Sequence, residues 1–344
     1  MKQRLLRYCF GALAGVAALV ATEAPAQAQS VVAAIKQRGM LNCGTDTGIP
    51  GFAYQDKAGK WIGFDVDYCR ALAVAVLGDA NKVKYVPTTA SVRFTVLQSG
   101  EVDVLIRNST QTFIRNTQLG LQTVAVNFYA GQGFMVRKSL NAKAVKDLDG
   151  STICTVTGAT LELNIADYAR SANVKIGTLL FEKTEEAFAA AEAGRCDGYT
   201  DDTGSLAAAR STMKNPNDWE VLAEVISKEP LGIYVRQGDE NWALIGKWMH
   251  FALLTAEELG ITKANADEMA KTSKDPFVRR LLGLEGDFGK LLGLDNAWAL
   301  NAIKVVGNYG EVYDEHFGPK ALALPRGQNN LWTKGGLQYA LPFR

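Results

Sequence analysis

Val102-Asp103-Val104-Leu105-Ile106-Arg107-Asn108-Ser109-Thr110-Gln111-Thr112-Phe113-Ile114-Arg115 is an apolar run that passes into hydroxyls, an amide and an arginine with no turn residue between them. Such a run reads as a buried strand whose carboxyl end emerges polar. In open α/β sheets ligands sit beyond the carboxyl ends of the strands. Arg115 offers there a planar fork able to hold a carboxylate through two parallel hydrogen bonds, with Thr110 and Asn108 as polar neighbours. By strand alternation Arg107 shares a face with Leu105, so it reads as a solvated or lobe-edge arginine and the lesser candidate.

Outward from this strand the elements alternate. On its N-terminal side, 40–44 and 82–87 read as strands and 31–38, 66–77 and 91–99 as helices, with Asp65 as an N-cap and Gly39, Gly78 and Gly100 as stops. That β-helix-β order specifies a doubly wound sheet. A second run of the same kind follows, with strands at 152–156, 174–181 and 198–200 and helices at 161–170, 185–194 and 205–213. Between the runs lies an extended apolar segment, 122–137, and the way back is 221–236. Two crossings predict a two-strand hinge. The expected division is lobe 1 at 29–128 and 231–344, including a long helix at 242–259, and lobe 2 at 129–230.

Residues 1–28 stand apart. Lys2, Arg4 and Arg7 precede an apolar run at 10–21, and Ala26-Gln27-Ala28 places small residues at a cleavage site, which specifies a secretory signal peptide. Cys9 comes too early to be a lipid-bearing cysteine. No other run approaches the ~18 apolar residues of a membrane span, so no transmembrane segment is expected in the mature chain. Without the leader the 37 basic and 36 acidic residues become 34 and 35, a net charge of about −1, which offers nucleic acid no basic surface. Hydrophobic content of 47% against 21% charged residues supplies core for two ordinary globular units.

Four cysteines remain, Cys43, Cys69, Cys154 and Cys196, an even number in an exported chain, with three pairings open. There is no CxxC pair, and the two histidines, His250 and His316, lie far from the cysteines in sequence, so neither metal nor cofactor is expected. No phosphate-binding GxxxxGK[ST] loop is present either.

Gly63-Phe64-Asp65-Val66-Asp67, Leu97-Gln98-Ser99-Gly100-Glu101-Val102-Asp103, Thr157-Gly158-Ala159-Thr160 and Arg195-Cys196-Asp197-Gly198-Tyr199-Thr200-Asp201-Asp202 occur in an order that resembles the periplasmic polar amino-acid-binding proteins of ABC importers. The four cysteines, the Arg107-Asn108-Ser109-Thr110 variant and the tail at 332–344 resemble the general L-amino-acid-binding branch. The resemblance implies the two-lobed periplasmic binding protein fold of type II, a monomer in the periplasm, an L-amino acid as ligand and an ABC permease as partner. It places the carboxylate arginine at Arg115, its hydroxyl partner at Thr110, a further contact at Asn108, the closing residue of the second lobe at Thr160 and the ammonium ligand at Asp202, with Asp201 as rival. Ile49 and Ala90 stand where relatives carry bulkier groups, implying a roomy, permissive pocket; Phe52 and Trp61 are candidates for its wall or for the core.

Each of these residues also has a plainer reading. Asn108 and Thr110 suit a turn after a strand, 157–160 a bare helix start, and Asp202 a helix cap. The cysteines sort by lobe, and a bridge between lobes would lock the hinge, so Cys43–Cys69 and Cys154–Cys196 are expected. The competing function is an exported dehydratase of the same fold acting on prephenate- or arogenate-like acids, which needs a carboxylic acid to protonate a leaving group, with Asp202 or Glu162 available. A sensor domain, the third class, would lead into a transmembrane helix.

Overall fold

The computed structural model describes residues 30–344; the expected leader lies outside them. In chain order the strands are β1 (Leu41–Thr45), β2 (Tyr54–Gln55), β3 (Trp61–Ile62), β4 (Val83–Pro87), β5 (Val104–Thr110), β6 (Leu121–Ala130), β7 (Gln132–Arg137), β8 (Thr152–Val156), β9 (Gly177–Phe181), β10 (Gly198–Asp202), β11 (Trp219–Val221) and β12 (Glu229–Arg236). The helices used below are α1 (Val31–Arg38), α2 (Phe64–Leu77), α3 (Arg93–Gln98), α4 (Phe113–Gln118), α5 (Leu161–Ala172), α6 (Thr184–Glu192), α7 (Thr203–Thr212) and α8 (Glu240–Glu258).

Two five-stranded sheets result, ordered β4-β1-β5-β12-β6 and β11-β7-β10-β8-β9, plus a small β2-β3 hairpin. Each large sheet has a parallel set (β4-β1-β5 and β10-β8-β9) and antiparallel returns, the pattern of doubly wound lobes. The chain passes from the first sheet to the second at Gly131, between β6 and β7, and returns through 222–228, between β11 and β12. Glu229 pairs with Ala130, so the two crossings lie side by side.

Lobe 1 carries the larger core. Phe52, Phe64, Phe128 and Phe317 pack mostly edge to face, with Phe52 5.1 Å from Phe128 and 4.8 Å from Phe317 between ring centroids. Burying each such ring is worth roughly 1.5–3 kcal/mol. The α2 entry is tighter than the sequence suggested. Gly63, not Asp65, is its N-cap, at φ 136°, where a Cβ would fall 2.1 Å from the Phe52 carbonyl oxygen. Asp65 is thereby drawn into the first turn, and its carboxylate is released for work elsewhere.

The long tail belongs to lobe 1 as well. His250 of α8 bonds Tyr68 at 2.8 Å and tail residue Gln338 at 3.1 Å. Asn329 pairs with the backbone of Tyr129 in β6, accepting its N–H at 2.6 Å and donating to its carbonyl at 2.9 Å. Within the lobes run the two disulfides, Cys43–Cys69 with Cα atoms 6.1 Å apart and Cys154–Cys196 at 5.6 Å; neither bridges the lobes. Among the described residues no helix is long and apolar enough to cross a membrane.

Candidate functional site

A cleft lies where the two sheets present their strand ends to each other, and its shape depends on an irregularity in β5. Opposite β12, Ile106 pairs with Ile233 and Ser109 with Gly232, so Arg107 and Asn108 have no partner residue between them. This bulge, with Asn108 at φ 20°, breaks the alternation of side chains and re-aims both residues. Arg107 is therefore not solvated. It turns into the cleft wall, donates to the Thr88 carbonyl at 3.0 Å and pairs with the buried Asp46 at 2.6 Å. The strand also continues through Thr110, so Asn108 and Thr110 are strand residues and not a turn.

Asn108 joins the lobes. Its backbone N–H donates to Asp65 Oδ2 at 3.2 Å, and its Nδ2 donates to Asp202 Oδ2 across the cleft at 3.2 Å. Asp202 is the helix cap of its plainer reading: Oδ1 caps α7 by accepting the Ser205 N–H at 2.9 Å, while Oδ2 faces Asn108. Asp201 takes the Tyr199 hydroxyl on one oxygen and the Asp202 N–H, at 2.8 Å, on the other. Burial pushes the carboxyls of Asp201 and Asp202 upward, and it raises Asp65 to about 7 against the pull of the Asn108 N–H.

Five of the expected residues come together in the cleft lining: Ala90, Asn108 and Thr110 from lobe 1, Thr160 and Asp202 from lobe 2. Two do not. Ile49 is buried in the lobe 1 core and bridges to Ala53. Arg115 sits behind the lining on α4, where its Nη1 donates to the Thr110 carbonyl at 2.8 Å and its guanidinium covers the Phe94 ring at 4.9 Å. The reason is local: Thr112 caps a new helix by accepting the Arg115 N–H, which turns the side chain back under the strand end. Phe52 is core, although its ring also blocks any Cβ at Gly204 of α7, and Trp61 lies beside Tyr85.

The residue that sequence reasoning missed is Arg93. It opens α3 beside Ala90, is 2% exposed, lines the cleft and lies 4.7 Å over Phe94, the ring that Arg115 also covers. Its Nε and Nη1 have no hydrogen-bond partner, and its Nη2 reaches only the Gly158 carbonyl at 3.5 Å. Burial and the neighbouring Arg107 and Arg115 lower its proton affinity. As an arginine at the start of a helix it gave no sequence signal; only the fold turns it inward.

The outer rim is closed by polar contacts between lobes. Glu182 accepts the hydroxyls of Thr89, at 2.5 Å, and Ser91, and Thr47 donates to Glu185 at 3.3 Å. At Gly158, φ 74°, a Cβ would fall 2.7 Å from the Ser91 Cα, so glycine lets the second lobe's loop rest on the first. The space enclosed by the lining is about 30 Å³. Asp67, Glu315 and His316 are the one trio among the described residues placed to share an ion, but Asp67 already holds Arg70 at 2.8 Å and His316 at 2.7 Å.

Two doubly wound lobes closing on a cleft lined from both sides by donors and carboxylates define a protein that captures a solute by hinge closure. Residues 41–319 match the bacterial extracellular solute-binding proteins, family 3, and the chain belongs to that family. It is 50% identical over 347 residues to the general L-amino acid-binding periplasmic protein AapJ of Rhizobium johnstonii, with all of both chains covered. It is 52% identical to the glutamate/glutamine/aspartate/asparagine-binding protein BztA of Rhodobacter capsulatus, covering 96% of this chain and 98% of that one. Among solved structures, an ABC transporter periplasmic binding protein from Brucella ovis with glutathione bound superposes with a TM-score of 0.89 at 50% identity, covering 92% and 99%. The family's members are solute-binding proteins, not enzymes, so the dehydratase alternative falls.

Proposed function

We propose that this chain captures L-amino acids of several kinds between its lobes, as a periplasmic monomer without cofactor, and presents them to an ABC permease. The observation that carries the reading is Arg93, whose buried Nε and Nη1 lack acceptors in the cleft wall. Leaving such donors unpaired costs about 1–3 kcal/mol each, more for a charged group, and a carboxylate relieves that cost. Across the cleft Asp202 Oδ2, already turned toward lobe 1, suits an ammonium. A zwitterion satisfies both.

In this reading Arg93 takes the carboxylate, with hydroxyls of Thr110 and Thr160 on either side and Asn108 between that carboxylate and Asp202. Arg115 is a positioning residue that holds the Thr110 carbonyl. Ala90 leaves the side-chain wall small, which suits the mixed ligands in the names of the Rhizobium and Rhodobacter relatives. The moving bodies are 30–130 with 229–344, and 131–228. Closure is driven by contacts the ligand makes with both bodies at once.

Calorimetry of the mature chain against glutamate, glutamine, aspartate, asparagine, alanine, arginine and glutathione tests this. Several amino acids bind, and Arg93→Met weakens them tenfold or more while melting no lower than wild type. Glutathione is the specific rival, since the Brucella ovis relative holds it; binding of glutathione alone would transfer the reading to that peptide. Loss of binding in Arg115→Ala with none in Arg93→Met would return the carboxylate to Arg115.

A further inference from the structure

One buried carboxylate in the cleft is not used by the reading above. Glu229 begins β12, directly after the second crossing, and is 2% exposed. Its Oε2 accepts the hydroxyls of Thr110, from lobe 1, and Thr160, from lobe 2, the latter at 2.9 Å. Its Oε1 accepts Asn164 Nδ2 at 2.7 Å and Ser227 Oγ at 2.6 Å. Four donors fill the roughly four lone-pair sites a carboxylate offers. Among the described residues no ion pair reaches it.

A hydroxyl has one proton to give. While Glu229 holds both, neither Thr110 nor Thr160 can donate to another carboxylate. One hydroxyl from each lobe converging on a single oxygen is also the arrangement a ligand carboxylate would need in a closed cleft. The enclosed space, about 30 Å³, is two to three times the ~10–15 Å³ that one water needs and too little for a whole amino acid, so a ligand enters only as the lobes part or a side chain moves.

We propose that Glu229 is the resident occupant of the carboxylate seat formed by Thr110 and Thr160, and that a ligand carboxylate takes the seat by exchanging with it. The proposal rests on the reading that these two hydroxyls face the ligand's carboxylate. Exchange swaps one lobe-to-lobe bridge for another, so the ligand gains only the difference between them. The return of Glu229 in turn eases release.

The test is calorimetry with L-glutamine on the full mature chain, comparing wild type with Glu229→Ala, Glu229→Gln and Thr110→Val. Removing the internal competitor tightens binding by about tenfold in Glu229→Ala. Glu229→Gln, which keeps the volume but loses the charge, tightens it less, and melting curves confirm that both fold. Wild-type or weaker affinity in both folded variants overturns the exchange. Thr110→Val weakens binding at least fivefold; if it does not, the seat itself is unused and the underlying reading fails, whatever Glu229→Ala does.

Discussion

Asn329 holds both backbone groups of Tyr129, accepting its N–H at 2.6 Å and donating to its carbonyl at 2.9 Å, two residues before the first crossing at Gly131. A side-chain amide here stands in for a neighbouring strand and closes the edge of β6 where it becomes the hinge. Asn329→Ala leaves two backbone groups unpaired and costs about 1–3 kcal/mol. Hydrogen exchange of the Tyr129 amide, faster in the variant by more than its neighbours' amides, checks the location; uniform acceleration would refute it.

The Arg107–Asp46 pair is buried on both sides, with side-chain exposures of 6% and 0%. Asp46→Asn leaves the guanidinium without its counter-charge and destabilises by about 3–5 kcal/mol, whereas the joint replacement Asp46→Leu with Arg107→Met recovers most of that loss. Urea unfolding of the three chains measures both. Additive losses in the double variant would show that the pair is not coupled.

Asp65 makes stability depend on pH in an unusual direction. Burial raises its folded value to about 7, while the unfolded chain ionises it near 3.8. The native state therefore holds a proton that the unfolded state has lost, and this group's contribution falls as pH rises from about 4 to about 7, then levels off. Asp65→Asn removes that slope. Unfolding curves at pH 5, 6, 7 and 8 test it, and an unchanged profile in the variant would assign the slope elsewhere.

Cys154 and Cys196 are 42 residues apart in sequence and close a loop within the second lobe. On loop-closure entropy alone, replacing both by alanine costs about 4 kcal/mol. Because the bridge stays on one side of the hinge, L-glutamine affinity of the folded double variant stays within about twofold of wild type. Denaturant titration and calorimetry on the same preparation read the two effects separately; a large affinity loss in folded protein would tie the bridge to closure.

Much of this was legible from residues. The order of strands and helices, the two crossings and the sorting of cysteines by lobe followed from periodicity and turn residues, because those depend on local chemistry. Arg107 was misread because alternation assumes an unbroken ladder, and the bulge opposite Gly232 and Ile233 depends on a strand more than a hundred residues away. The position of Arg115 behind the lining was not legible because Thr112 starts a helix that the apolar Phe113 and Ile114 disguise as strand. Arg93 and Glu229 carried no local sign at all. Their meaning comes from which elements face them after folding.

The paired crossings at Gly131 and 222–228 behave as an engineer's flexure. Two strips fixed side by side bend readily about one axis and resist twist and shear. Whatever side chain the ligand carries, its arrival is thus reduced to a single angle between two stiff bodies. A receiving surface need read only that angle, and on the proposed reading of several amino acids as ligands it would not have to inspect each passenger.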